Sequence, residues 1–168
     1  MFETLENGTP PTRGSKYSAC VDLYASEDVV ISAGGTKVIG LGVCIDENVL
    51  KTILKAHGEH FFSSHIEEFK NSHYLQLMLI DSLGEKGLIV PSGIKIIDLD
   101  YKDEIKMIVH NPMDITSVHS LNENSYPNFI EIKKGDRVGQ ITLLEHKSYL
   151  FGIDTEDERT GGLGSTDS

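Results

Sequence analysis

The sequence predicts a mostly β domain of the sandwich or barrel kind, and three observations carry that prediction. Apolar and polar residues alternate at period two in short runs such as "ACVDLYA", "YLQLMLI" and "EIKMIVHN", which is the pattern of strands with one buried face. Turn residues punctuate these runs about every ten residues, the spacing of sandwiches and barrels. The strand–helix alternation that builds a parallel sheet is absent.

Each element follows from its own stretch. Residues 1–16, with "NGTPPTRGS", read as a turn-rich lead-in. "VVISAGGTKVIGLGVCI" reads as strands broken by an "SAGG" turn. "KGLIVP", "IKIIDL", "NFIEI" and "RVGQITLLEH" complete the strand set. Only the stretch from about 46 to 72 changes period: its apolar residues fall at helical spacing, which predicts two short helices inserted between strands. Asp46 is placed to cap the first, and Ser63 or Ser64 the second. Within the insertion, His57, Glu59, His60 and His65 read as exposed polar residues rather than a metal site. Phe61, Phe62, Ile66 and Phe69 either offer an apolar face to another protein or pack on the domain itself. Residues 1–153 are expected to form one domain, and 154–168, "DTEDERTGGLGSTDS", a polar, glycine-rich flexible arm with no core of its own.

Composition narrows the partners. The chain has 168 residues, enough for one domain with a real core. Its 15 basic and 26 acidic side chains give a formal charge of −11, which argues against non-specific binding to nucleic acid or anionic membranes. No apolar run is long enough to span a bilayer, and Met1 does not open a signal-peptide pattern. Cys20 and Cys44 are expected to be reduced, buried and inert. A cytoplasmic protein is expected.

Three stretches carry chemistry. "RTGGLGST" sets Arg159 beside closely spaced glycines, Gly162 among them, followed by Ser165 and Thr166. Glycines let backbone N–H groups converge on an anion while hydroxyls and a guanidinium add donors, although the same composition suits a plain linker. "IEIKKGDRVGQITLL" leads from Lys133 and Lys134 through a Gly135–Asp136 turn to Gln140, with Asp136 and Arg137 readable as a surface pair. In "GIKIIDLDYKDEI", Asp98 ends an apolar strand beside Tyr101. A carboxylate so placed suits a general base or a metal ligand; the alternative is a set of solvated turn acids.

Taken in order, "SKYSACVDLYA", "SLGEKGLIVP", "GIKIIDLDYKDEI", "IKKGDRVGQITLL" and "RTGGLGST" resemble the five ordered motifs of the trimeric dUTPase (dUTP diphosphatase) family, over about residues 11–166 apart from the helical insertion. The resemblance implies a jelly-roll β fold and a homotrimer with sites between subunits. The C-terminal arm would close over a neighbour's site. It also implies Mg²⁺-assisted cleavage of dUTP to dUMP and pyrophosphate by in-line attack of an activated water. Carried over position by position, Asp98 matches the aspartate that activates the water, and Tyr101 the tyrosine packed under the deoxyribose. The hairpin 91–97, including Ser92, Gly93 and Ile97, matches the one that reads uracil. Ser82 and Gly84 match the second motif near the phosphates, and Gln140 the phosphate-contacting glutamine. Arg159, Gly162, Ser165 and Thr166 match the arm, Lys106 a strand that contacts substrate, and Asp22 an aspartate that meets the metal through water.

The chain departs from the family pattern at named positions. Ile80 and Asp81 stand where the second motif usually has arginine and serine. Ser92 replaces an asparagine, Lys95 a glycine of the base-reading hairpin, Cys20 and Asp103 two further glycines, and Leu163 the phenylalanine that stacks on the base. Two readings follow: a diphosphatase acting on dUTP or a closely related deoxyuridine triphosphate, or a protein of this fold that binds a nucleotide or a protein partner with little turnover. The related dCTP deaminase branch fits "DLDY" and "GGLGST" less well.

Overall fold

The computed structural model describes residues 1–56, 63–113 and 129–153. In chain order these form β1 (Phe2–Thr4), β2 (Val21–Tyr24), β3 (Val29–Ser32), β4 (Thr36–Gly40), β5 (Val43–Ile45), α1 (Glu47–Ala56) and α2 (Ser63–Lys70). There follow β6 (His73–Leu79), α3 (Asp81–Glu85), β7 (Lys95–Asp98), β8 (Lys106–His110), β9 (Phe129–Ile132), β10 (Arg137–Glu145) and a 3-10 turn at Ser148–Phe151. The pairing is antiparallel throughout: a four-stranded sheet in the order β2-β10-β6-β7, and the ladders β1–β5, β3–β9 and β4–β8. This is a jelly-roll-like β fold: the mostly β domain that the period-two pattern predicts, of the kind the resemblance implies.

The alternation is what closes the core. Leu23, Ile31, Ile39, Leu75, Leu77, Ile97, Met107, Ile132 and Ile141 come from all three larger pairings and are at most 2% exposed. They belong to one buried cluster, while their strand neighbours point outward. The insertion also packs inward. Asp46 caps α1 as expected, its Oδ1 accepting the N–H groups of Asn48 and Val49 at 2.6 and 3.0 Å. Leu50 and Ile66 are buried, and Phe69 packs against the core and stacks on the His73 ring at 4.0 Å. Ile66 and Phe69 therefore face the domain itself; His57, Glu59, His60, Phe61 and Phe62 lie outside the described residues.

Four local expectations are corrected. The lead-in contains a strand, β1, which pairs with β5 through Phe2↔Ile45; three residues are too few to show a period. "KGLIVP" forms only an isolated bridge, Ile89 to His110, and the residues before it form α3. Asp136 does not pair with Arg137: its carboxylate closes the turn by accepting the Lys133 N–H at 2.8 Å. The cysteines are free, yet half-buried rather than buried; burial, followed by the nearby Glu3 carboxylate, pushes the Cys44 thiol up and leaves it a poor nucleophile. Among the described residues no helix is long and apolar enough to cross a membrane.

One carboxylate ties the segment after β7 to the rest. Glu104 Oε1 accepts the Gly42 N–H at 2.9 Å and the Ser26 hydroxyl at 3.1 Å. It lies so close to Gly40 that a Cβ there would sit 2.5 Å from it. Gly42 has φ +63°, and a Cβ on it would meet Gly8 Cα at 2.3 Å, so glycine is demanded there, while a Cβ at Gly40 would displace the Glu104 carboxylate. Ile105 completes the stitch, its N–H donating to Val43 and its carbonyl accepting from Leu41. Glu104→Ala leaves a part-buried N–H without its acceptor and is expected to destabilise the chain by about 1–3 kcal/mol. Glu104→Gln, which keeps an acceptor, should lose less. Urea midpoints at one protein concentration measure both.

Candidate active site

The outward face of the four-stranded sheet carries three of the residues singled out by sequence, Asp22, Gln140 and Asp98. Register places Asp22, Gln140 and Met78 in one row across β2, β10 and β6. Two residues along, Thr142, Gln76 and Ile96 form the next row, and Leu144, Tyr74 and Asp98 the one after. Asp22 and Asp98 thus share a face but lie on opposite edge strands. Three strand spacings and four residues of rise put them about 20 Å apart in one chain.

At the β2 edge a cluster forms around Asp22. Arg137 and Gln140 are three residues apart, so a regular strand would point them to opposite faces. The register shifts between Arg137 and Gly139, and this bulge turns Arg137 onto the face of Asp22. Arg137 Nη1 lies 3.1 Å from Asp22 Oδ2; the carboxylate side chain is 16% exposed and the guanidinium side chain 54%. Opposite them runs the loop before β2, held by the Arg13 guanidinium, whose Nε and Nη2 donate to the Ser18 carbonyl at 2.9 and 2.7 Å. Thr142 pins the same loop by donating to the Ala19 carbonyl at 3.0 Å. Between loop and sheet is an open concavity of about 380 Å³ lined by Gly14, Ser18, Ala19, Cys20, Asp22, Arg137 and Gln140. A carboxylate, an amide and an exchangeable guanidinium around an open cleft can take up phosphate oxygens and a hydrated divalent cation.

At the β7 edge lies the hairpin. Gly93 makes its turn at φ +77°, donating to the Val90 carbonyl at 2.8 Å, while the Ser92 carbonyl accepts from Ile94 at 3.0 Å. Ile97 sends its side chain into the core at 2% exposure, so a ligand can meet only its backbone. β7 is the last strand of its sheet, and its outer edge of N–H and C=O groups is not used by sheet pairing. Asp98 is exposed at the end of that strand, and its carbonyl accepts the Tyr101 N–H at 3.1 Å. Tyr101 is 5% exposed, its hydroxyl donating to the Glu104 carbonyl at 3.3 Å. Lys106 opens β8, its ammonium 4.0 Å from Glu104 Oε2. Lys95 Nζ lies 5.6 Å from the Tyr101 ring centroid and donates to the Lys106 carbonyl at 3.0 Å.

The second motif falls on α3. Ile80 is 7% exposed and belongs to the core cluster. Asp81 stands in the first turn of α3, whose start carries no side-chain cap, so its charge meets the partial positive charge of the helix start. Ser82 and Gly84 are exposed on the same helix. Arg159, Gly162, Ser165 and Thr166 lie outside the described residues. Three contributors were not singled out as site residues by sequence: Arg137, Arg13, and Lys95 as the cover of Tyr101. Arg137 and Asp22 are 115 residues apart, and only the bulge brings them together.

No family model matches the chain. The chain is similar to the deoxyuridine 5′-triphosphate nucleotidohydrolase of Debaryomyces hansenii, with 29% identity over 176 residues that cover 99% of this chain and 85% of the relative. In structure it is similar to the dUTPase of Streptococcus mutans, with TM-score 0.61, 21% identity, and 92% of this chain and 98% of that one covered. It is also similar to a point mutant of the dUTPase from phage phi11 of S. aureus, described with a structural Mg(II) ion, with TM-score 0.60, 17% identity and coverage of 88% and 91%. The two structures share its fold.

The geometry around Lys95 makes a stability prediction. Burial, and next the like charge of Lys106, hold the Lys95 ammonium below the ordinary lysine value of 10.5. That penalty on the folded state is complete below the lowered pKa. Between it and 10.5 the unfolded chain binds more protons, so the folded state gains stability as pH rises. Lys95→Met removes the titration. The stability difference between parent and variant should therefore move in the parent's favour from pH 7 towards 10.5, read as urea midpoints at each pH; parallel curves would refute the assignment.

Proposed function

We propose that this chain, a divergent member of the dUTPase family, hydrolyses dUTP or a closely related deoxyuridine triphosphate to the monophosphate and pyrophosphate. The observation that carries this reading is Asp98: an exposed carboxylate at the end of an edge strand, directly before the turn that buries Tyr101. Its setting matches the family motif along a chain similar over nearly its whole length to a nucleotidohydrolase. Asp98 would take a proton from water as its oxygen attacks the α-phosphorus. The bond from that phosphorus to the bridging oxygen would break, and pyrophosphate would leave. The hairpin 91–97, including Ser92, Gly93 and Ile97, would meet the base through backbone groups, Tyr101 the sugar, and Lys106 the substrate beside it. Gln140, Ser82 and Gly84 would meet the phosphates, with Arg159, Gly162, Ser165 and Thr166 of the arm.

The donors near Asp22 fit magnesium of a particular kind. Among the described residues no three or more metal-ligating side chains cluster. One carboxylate beside an open cleft suits a cation that keeps its waters and is held chiefly by phosphate oxygens. Asp22 would contact it through water, and the ion would neutralise the charge of the triphosphate. The separation of about 20 Å between Asp22 and Asp98 supports a site completed by neighbouring copies, as in a homotrimer with exchanged arms, because one triphosphate does not span both edges of one chain.

A second reading, binding with little turnover, is favoured by α3. With Ile80 in the core, this motif supplies no cation there, and Asp81 adds a like charge. Pyrophosphate release from a panel of deoxynucleoside triphosphates with Mg²⁺ separates the two. The first reading expects turnover of a deoxyuridine triphosphate, lowered about 10²–10⁴-fold in Asp98→Asn. Stabilisation by nucleotide without any turnover would establish the second. Asp81→Ser should raise kcat/KM about fivefold, the effect of removing roughly 1 kcal/mol of repulsion between wet charges; an unchanged rate would show that Asp81 does not face the phosphates.

A further inference from the structure

The ring of Tyr101 is covered in this chain, and the cover is a cation. Lys95 pairs with Leu77 across β6 and β7, and so stands on the inward side of the strand with Ile97, opposite to Asp98 and Ile96. An ammonium on that side is half-buried. It rests 5.6 Å from the Tyr101 ring centroid and reaches the Lys106 carbonyl at 3.0 Å. No carboxylate of the described residues lies within ion-pair distance of it, and its charged neighbour, Lys106, has the same sign.

Such a group has donors to spare. An ammonium has three N–H donors and no acceptor; one donor is used on the Lys106 carbonyl. The ring face and the carbonyl hold it in place, so its remaining donors are preset at little further entropic expense. What meets it best is a carbonyl oxygen. An exocyclic amine in the same position would set donor against donor.

We propose that Lys95 is a specificity-determining residue of the nucleoside pocket: resting on the Tyr101 ring, its ammonium donates to the C4 carbonyl oxygen of uracil, where cytosine carries an amine, and so favours uracil over cytosine. The inference rests on the reading that the β7 hairpin holds the nucleoside, but it does not require turnover. It assigns to a charged side chain part of a discrimination that an unmodified hairpin makes with backbone alone. It also explains how the hairpin accommodates a lysine where the resemblance leads one to expect glycine.

The test is binding of α,β-imido-dUTP and α,β-imido-dCTP to the full chain with Mg²⁺, by calorimetry, for the parent, Lys95→Met, Lys95→Arg and Lys95→Gln. The parent should prefer the uracil analogue. Lys95→Met should cut the preference about tenfold or more, the effect of one charged hydrogen bond. Lys95→Arg, still donor-only, should keep the preference. Lys95→Gln, whose amide can also accept, should gain affinity for the cytosine analogue, which gives a second readout should the methionine variant fold poorly. A preference unchanged in both Lys95→Met and Lys95→Gln would overturn the inference, as would tighter binding of both analogues by Lys95→Met, which would make the lysine a plug. A Lys95-dependent preference without pyrophosphate release would sink the hydrolase reading and leave this one standing. Turnover of dUTP with a preference indifferent to Lys95 would do the reverse.

Discussion

β10 is the strand on which the rest of the site depends. It is bonded along both edges, to β2 and to β6, and every row of the outward face runs through it. Its glycine lets it lie close on the core: a Cβ on Gly139 would come within 2.9 Å of Leu77 Cδ1 and 3.0 Å of Met107 Cε, so those two side-chain ends would have to shift for a larger residue. Just before Gly139 the bulge rotates Arg137, and the same strand carries Gln140 to the row of Asp22. Through β6 it also fixes β7, and with it the height of Asp98. A shift of one residue in this register would turn every one of these groups to the wrong face.

The same register divides the site. Asp22, Gln140 and Arg137 gather at one edge of the sheet, and Asp98, Tyr101 and Lys95 at the other. The proposed reaction needs both groups around a single triphosphate, and in that reading a second copy supplies the missing half. Ile96 is 58% exposed and Leu144 37%, both on the outward side. Exposed apolar side chains in that position suit contact with another copy better than contact with water. On this view the assembly is a requirement of the chemistry, since neither cluster alone holds water, phosphate and base together.

Much of the fold was legible in the sequence because its signals are local. Period two identified β2 to β6 and β7 to β10, and the switch to helical spacing identified α1 and α2, with Asp46 as cap. β1 escaped because three residues carry no period. α3 escaped because "SLGEKGLIVP" reads as a turn and a strand until Leu83 and Leu88 are seen to share one patch of core. Asp98, Tyr101, Asp22 and Gln140 were legible as motif residues. The role of Arg137 was not, because its partner is 115 residues away and its orientation depends on a bulge. Lys95 was legible as a departure, but not as the cover of Tyr101, because that contact forms between a strand and the loop that follows it.

The departures become more coherent once their places are known. A chain of formal charge −11 must meet a polyanion through local positive groups and a bound cation, because its long-range field repels one. At the second motif the expected arginine is lost to the core as Ile80, and Asp81 stabilises the start of its own helix. In the proposed site, the changes in α3 thus favour the free protein's packing over a grip on phosphate. At the hairpin the change has the opposite sign: Lys95 brings a half-buried cation to what the proposal makes the nucleoside end, with desolvation set against the fold. In the proposed site, positive charge has in effect moved from the phosphate end towards the base end. Binding energy placed at the base is common to substrate and transition state and lowers KM, whereas binding placed at the reacting phosphates acts on kcat. Under the proposed assignment, this distribution argues for an enzyme that holds its nucleotide selectively and turns it over slowly.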